Sequence, residues 1–137
     1  MSSFVVSSRA LYCAFSSEQS EAPEPLRALD RCLDPHIRRI AACVEKGGQK
    51  LFILSGIGGL ISSDERIYHH DHKLAVEEVP LLSLMIFQQL SEFDPEEVYL
   101  FIKSGSDTIL YRNAVKFAAE NLLIQVVVLD PSELDYD

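Results

Sequence analysis

Leu51-Phe52-Ile53-Leu54 sets four apolar residues in succession, with Gly47-Gly48 before them and Ser55-Gly56 after. A strand with one face in water alternates apolar and polar residues. An unbroken run fits a strand buried on both faces, the habit of parallel sheets covered by helices. Residues 98–102 and 124–129 have the same character. Helical periodicity fills the gaps between these runs. Asp34-Pro35 reads as a helix start, with Asp as N-cap and Pro in the first turn, and Ile37, Ile40, Ala41 and Val44 then recur at three and four. Gly47-Gly48 would close that helix. Residues 75–93 read as a second helix, with Pro80 in its first turns. Its Val79, Leu81, Leu82, Leu84, Met85, Ile86, Phe87 and Leu90 cover nearly the whole circumference. Such a helix is either central or a subunit interface, so a homodimer through helix 75–93 is an expectation. Residues 107–121 form the third helix.

Phe4-Val5-Val6-Ser7 is read as the first strand and residues 8–25 as a long loop rich in Ser, Pro and Glu. Strands and helices therefore alternate. The predicted fold is α/β: a single-domain three-layer sandwich of about four mostly parallel strands with helices on both faces. The domain is expected to span residues 1–130. Residues 131–137, holding Glu133, Asp135 and Asp137, form an acidic and flexible tail in this reading.

A chain of 137 residues, 47% hydrophobic and 24% charged, buries a core and is not globally disordered. It has no run of about 18 apolar residues, so no membrane span is expected. Residues 1–6 lack the basic and apolar stretches of a signal peptide. Three cysteines, Cys13, Cys32 and Cys43, form no CxxC, which points to reduced thiols and a cytoplasmic location. Twelve basic against 21 acidic residues give 12 − 21 = −9. Sequence-independent nucleic-acid binding runs on cations neutralising phosphates, so nucleic acid is not an expected partner. A small molecule in a local pocket is.

In open parallel sheets, ligands sit outside the carboxyl ends of the strands. In this reading those ends run into Ser7-Ser8-Arg9, Ser55-Gly56-Ile57-Gly58-Gly59 and Lys103-Ser104-Gly105-Ser106-Asp107. Small and hydroxyl-bearing residues there would let a polar ligand approach the backbone. The turn from Gly56 to Gly59 invites a phosphate-loop reading, but Ile61 stands where a dinucleotide fingerprint wants Gly or Ala, and no Gly-Lys-Ser/Thr follows. Tyr68-His69-His70-Asp71-His72 carries metal-ligating types. On an extended segment only two share each side, so no metal site is assigned. Asp71 and Asp107 are the candidate catalytic acids. A Ser55, His72, Asp107 triad can be drawn, but the G-x-S-x-G elbow is missing. Cys32 and Cys43 read as core residues. No cofactor is identified.

Ile53-Leu54-Ser55-Gly56-Ile57-Gly58-Gly59-Leu60 followed by Tyr68 and Asp71 resembles a family of small bacterial and phage proteins whose motif is roughly I-L-S-A-K-Y-G-L and a Tyr/Asp element. Those proteins continue with a strand, a Gly, a Tyr-bearing helix and a last strand, here residues 98–105, Tyr111 and residues 124–129. That match, to proteins of unknown function, covers roughly residues 51–130; a more distant resemblance is to the uracil-DNA-glycosylase-like accessory domain of archaeal tRNA-guanine transglycosylases. The resemblance implies an α/β fold and pocket positions at Ser55, Gly59, Leu60, Tyr68, Asp71, Gly105 and Tyr111. It implies a nucleobase or nucleotide as ligand. The leading expectation is thus a binding module using Ser55, Gly56, Gly58, Gly59, Tyr68, Ser104, Gly105, Ser106 and Tyr111. The alternatives are an enzyme on a nucleoside-like glycosidic bond and a protein-interaction module using helix 75–93.

Overall fold

The computed structural model describes residues 5–70 and 72–134. A mixed, mostly parallel five-stranded sheet forms the centre: β1 (Ala10–Ala14), β3 (Leu51–Ser55), β4 (Gly59–Ser62), β6 (Glu97–Phe101) and β7 (Gln125–Leu129). Their order across the sheet is β4-β3-β1-β6-β7. β1 pairs in parallel with β3 and β6, β6 pairs in parallel with β7, and β4 pairs antiparallel with β3. A separate two-stranded ribbon joins β2 (Leu26–Arg27) to β5 (Arg66–Ile67). The helices are α1 (Ala28–Arg31), α2 (Pro35–Lys46), α3 (Val79–Phe93) and α4 (Ile109–Glu120). Among the described residues, no helix is long and apolar enough to cross a membrane.

The α/β class follows from the sequence, but the first strand is not where the sequence places it. Phe4 lies outside the described residues, and Val5, Val6 and Ser7 are not strand. The strand is Ala10–Ala14, inside the expected 8–25 loop, with all five residues buried. Tyr12 explains part of the exchange. Its hydroxyl accepts from the Ser7 N–H at 2.7 Å and donates to the Val5 carbonyl at 3.3 Å, so those backbone groups serve a side chain rather than a ladder.

The side chains of β1 alternate between two cores. Leu11, Cys13 and Phe15 join the cluster of α3 and α4, with Leu82, Ile86, Leu90, Ala114 and Val115. Ala10, Tyr12 and Ala14 join the cluster of α1 and α2, with Ala28, Ile37, Ile40 and Val44. A strand between two parallel neighbours has no wet face, and this one shows no polar alternation.

Helix α2 begins as its sequence dictates. Asp34 accepts from the His36 N–H at 2.9 Å with Pro35 in the first turn, and the left-handed residue past its end is Gly48 (φ 86°). Helix α3 owes its excess of apolar residues to two neighbours, packing on the sheet by Leu82, Ile86 and Leu90 and against α4 alongside. Leu81 and Leu84 still face solvent. Past β7, Pro131 and Leu134 are buried, Leu134 in the cluster under α2.

The glycine-rich turn does not lead into a helix. Residues 56–58 turn β3 back into β4, a hairpin that adds a fifth, antiparallel strand. Ser55 Oγ accepts from the N–H groups of Ile57 and Gly58, both at 3.2 Å, which holds the turn. Gly59 sits at φ 69°, a left-handed conformation. Its missing Cβ makes room for Gln89 of α3, whose Oε1 would lie 2.5 Å from such an atom. Gln89 uses that room to serve the outer edge of β4. Its Oε1 accepts from Leu60 N–H at 2.8 Å, and its Nε2 donates to the carbonyls of Gly58 and Leu60 at 3.1 and 3.2 Å. Gly59→Ala is therefore expected to cost about 1–3 kcal/mol, from backbone strain and displacement of the amide. Thermal unfolding measures it. An unchanged midpoint would mean that Gln89 moves aside freely.

Candidate functional site

The chain direction across the sheet reverses at β1: one connection runs from β1 to β3, and the next returns past β1 to β6. Parallel sheets bind ligands at such a switch point, outside the carboxyl ends of the flanking strands. A cavity of about 1100 Å³ opens at that place. Its walls come from residues 15–21 after β1, Ser55 and Gly56 after β3, Ser106 and Asp107 after β6, and Leu110 and Tyr111 of α4. His69, His70, His72, Lys73 and Leu74 form the side toward α3, and Leu33 completes the wall. A smaller cavity of about 180 Å³ shares residues 15–18 and Leu33, and reaches Asp34, His36, Lys103 and Thr108.

Tyr111 joins four of these walls. Its ring stacks on Phe15, with centroids 4.1 Å apart and planes at 24°. Its hydroxyl accepts from the buried Leu74 N–H at 3.2 Å. A Cβ on Gly56 would lie 3.3 Å from the Tyr111 ring, so glycine suits this side of the turn. The loop after β6 is held by Thr108, whose Oγ1 donates toward the carbonyls of Lys103 (2.6 Å) and Gly105 (3.2 Å).

The wall after β1 is held from behind. Arg31 is 1% exposed, the largest fully buried side chain. Its guanidinium donates to backbone carbonyls only: Ser20 (2.9 Å), Ala22 (2.8 Å), Glu24 (2.6 Å) and Ile67 (3.1 and 3.3 Å). Planar donors in a fixed fork match such a fan of carbonyls, which a point charge could not. Ser20 N–H donates back to the Arg31 carbonyl at 2.8 Å, and Leu33 N–H to that of Glu18 at 3.1 Å. The long loop is thereby a preformed wall.

Of the residues singled out by sequence, Ser55, Gly56, Ser106, Asp107 and Tyr111 line the cavity. Gly58, Gly59, Tyr68, Ser104 and Gly105 are not among its lining residues. Gly58 and Gly59 shape the hairpin, and Tyr68 faces solvent. Asp71 lies outside the described residues. His72 pairs with Glu78, Nε2 to carboxylate at 2.8 Å, and Ser55 Oγ serves its own turn. Among the described residues no group of three or more His, Cys, Asp or Glu side chains is placed to hold a metal ion. Burial pushes the thiols of Cys13 and Cys32 up to about 12, as suits core residues. Burial also opposes ionisation of Asp34. Hydrogen bonds from the His36 N–H and ring, with Lys103 at 3.5 Å, outweigh it and hold that carboxyl below its ordinary value.

The sequence does not single out residues 15–21 or Arg31 as site residues. Placing β1 at residues 4–7 puts the wrong segment at its carboxyl end. The run of serines at 16, 17 and 20 was the available signal. Compared with protein-family models, with curated proteins and with solved structures, the chain finds no match.

Proposed function

We propose that the chain binds a small, polar, uncharged ligand of nucleobase or nucleoside type in the cavity at the carboxyl ends of β1, β3 and β6. The observation that carries this reading is the position of the cavity. It is the largest of those described and lies at the switch point of the sheet. The stacked Phe15 and Tyr111 give it an apolar side, and serines with imidazoles give hydrogen-bond donors and acceptors around it. The more distant resemblance to the uracil-DNA-glycosylase-like accessory domain points the same way.

The charge on the walls narrows the choice. Glu18, Glu21 and Asp107 line the cavity against Lys73. A phosphate would meet more acid than base, so the monophosphate is expected to bind more weakly than its nucleoside. All three acids are exposed, which limits the difference to about fivefold at low ionic strength and less in physiological salt.

Thermal unfolding with paired nucleobases, nucleosides and 5′-monophosphates tests this. A ligand at 100 times its Kd adds about 2.7 kcal/mol, a rise of several degrees. Asp107→Asn is expected to narrow the gap between nucleoside and monophosphate. If every pair leaves the midpoint unchanged at millimolar concentration, the reading fails. Release of free base during the assay, lost in Asp107→Asn, would move it to catalysis on a glycosidic bond.

A further inference from the structure

The two edges of the central sheet are treated differently. At β4 the backbone groups of Leu60 that turn away from β3 are taken by the Gln89 amide. Gln89 stands in for the next strand. At the other edge, Ile102 N–H donates to the Leu129 carbonyl at 3.0 Å, so Gln125, Val127 and Leu129 turn their backbone groups toward β6. Val126 and Val128 turn theirs outward, and among the described residues none bonds to them. The strand, Gln-Val-Val-Val-Leu, carries no charge, no proline and no lysine, the usual guards of an open edge. Beside it Leu123 is 94% exposed at φ 58°, a conformation that favours glycine or asparagine. An apolar residue is displayed there against both backbone and solvent preference.

We propose that β7 pairs antiparallel with β7 of a second copy, joining two sheets into one across a two-fold axis through Val127. This register pairs Val126 with Val128 of the second copy and the reverse, two bonds per pair, and so uses every outward group. It is self-complementary, as a two-fold contact must be. Each copy carries a net charge of −9, which opposes association at long range, but the paired strand itself is uncharged from Gln125 to Leu129. The nearest acid, Asp130, falls opposite Ile124 of the second copy, and Leu123 falls opposite Pro131, so no acid faces an acid. The contact is separate from the cavity and does not rest on the ligand reading.

Sedimentation of the full chain from micromolar to millimolar concentration tests this. The expected result is a rise from 15.4 kDa toward twice that mass. Val128→Pro removes an outward N–H and no bond to β6, so the sheet should survive while the dimer Kd rises about ten- to a hundredfold. Val127→Cys brings two thiols together in a pair without backbone bonds, where the chains approach closest, and should cross-link on mild oxidation when the wild type does not. A wild-type chain that stays monomeric at millimolar concentration overturns the proposal. So does a dimer that persists in Val128→Pro without cross-linking in Val127→Cys, which would move the contact to the exposed Leu84 and Phe117 side of α3 and α4.

Discussion

Arg31→Ala is expected to lower the unfolding free energy by about 3–5 kcal/mol. The guanidinium is the donor to the carbonyls of Ser20, Ala22, Glu24 and Ile67, and its removal leaves them in a space that alanine cannot fill. Each unsatisfied buried acceptor costs about 1–3 kcal/mol, and relaxation of the loop toward water recovers part of the sum. A domain of this kind has about 5–15 kcal/mol in total, so the variant should sit near the edge of folding. Arg31→Lys keeps the charge but has three donors on a point, and should lose about 1.5–3 kcal/mol. Urea unfolding at unchanged slope measures both. Cleavage by a protease within residues 16–25 should quicken in step, because that segment hangs on the same bonds. A midpoint within about 0.5 kcal/mol of wild type in Arg31→Ala would show that water replaces the guanidinium and that the loop holds itself.

The same side chain marks where reading the sequence stops. Asp34-Pro35 announces α2 because an N-cap and a first-turn proline act within one turn. β3 and β6 announce themselves because burial on both faces leaves an apolar run in the chain, and the half-buried β7 carries a similar run. β1 does not: Ala-Leu-Tyr-Cys-Ala has weak strand propensity, and its conformation is imposed by β3 and β6 on either side and by helices that need small residues at Ala10 and Ala14. Phe4-Val5-Val6-Ser7 has the propensity, but among the described residues no strand pairs with Val5, Val6 or Ser7. The glycines of the Ser55 to Gly59 turn suggest a ligand loop, yet the apolar pair after it, Leu60 and Ile61, is the sign of a returning strand. The candidate site was legible to the same degree. Ser55, Ser106 and Asp107 follow from the rule for open sheets, whereas Tyr111 comes only from the family resemblance. The bonds that assemble the walls join residues far apart in sequence, Arg31 to Ile67 and Leu74 to Tyr111, and no local pattern encodes them.

Tyr111 is the second large effect, and its two substitutions separate wall from ligand contact. Tyr111→Ala removes a buried ring from between Phe15, Gly56 and Leu74 and is expected to cost about 3–5 kcal/mol. Tyr111→Phe keeps the ring and its stack and strips the acceptor from the Leu74 N–H, a loss of about 1–2 kcal/mol. The smaller change is the more informative. If the hydroxyl holds the His69 to Leu74 side of the cavity, hydrogen exchange at Leu74 and its neighbours should quicken in Tyr111→Phe while α4 itself stays protected. Ligand affinity should then fall through loosening of that wall, and for bases and nucleosides alike. A drop in affinity with exchange at Leu74 unchanged would instead place the phenol oxygen on the ligand. Exchange that quickens throughout α4 would mean that the hydroxyl steadies the helix and not the wall.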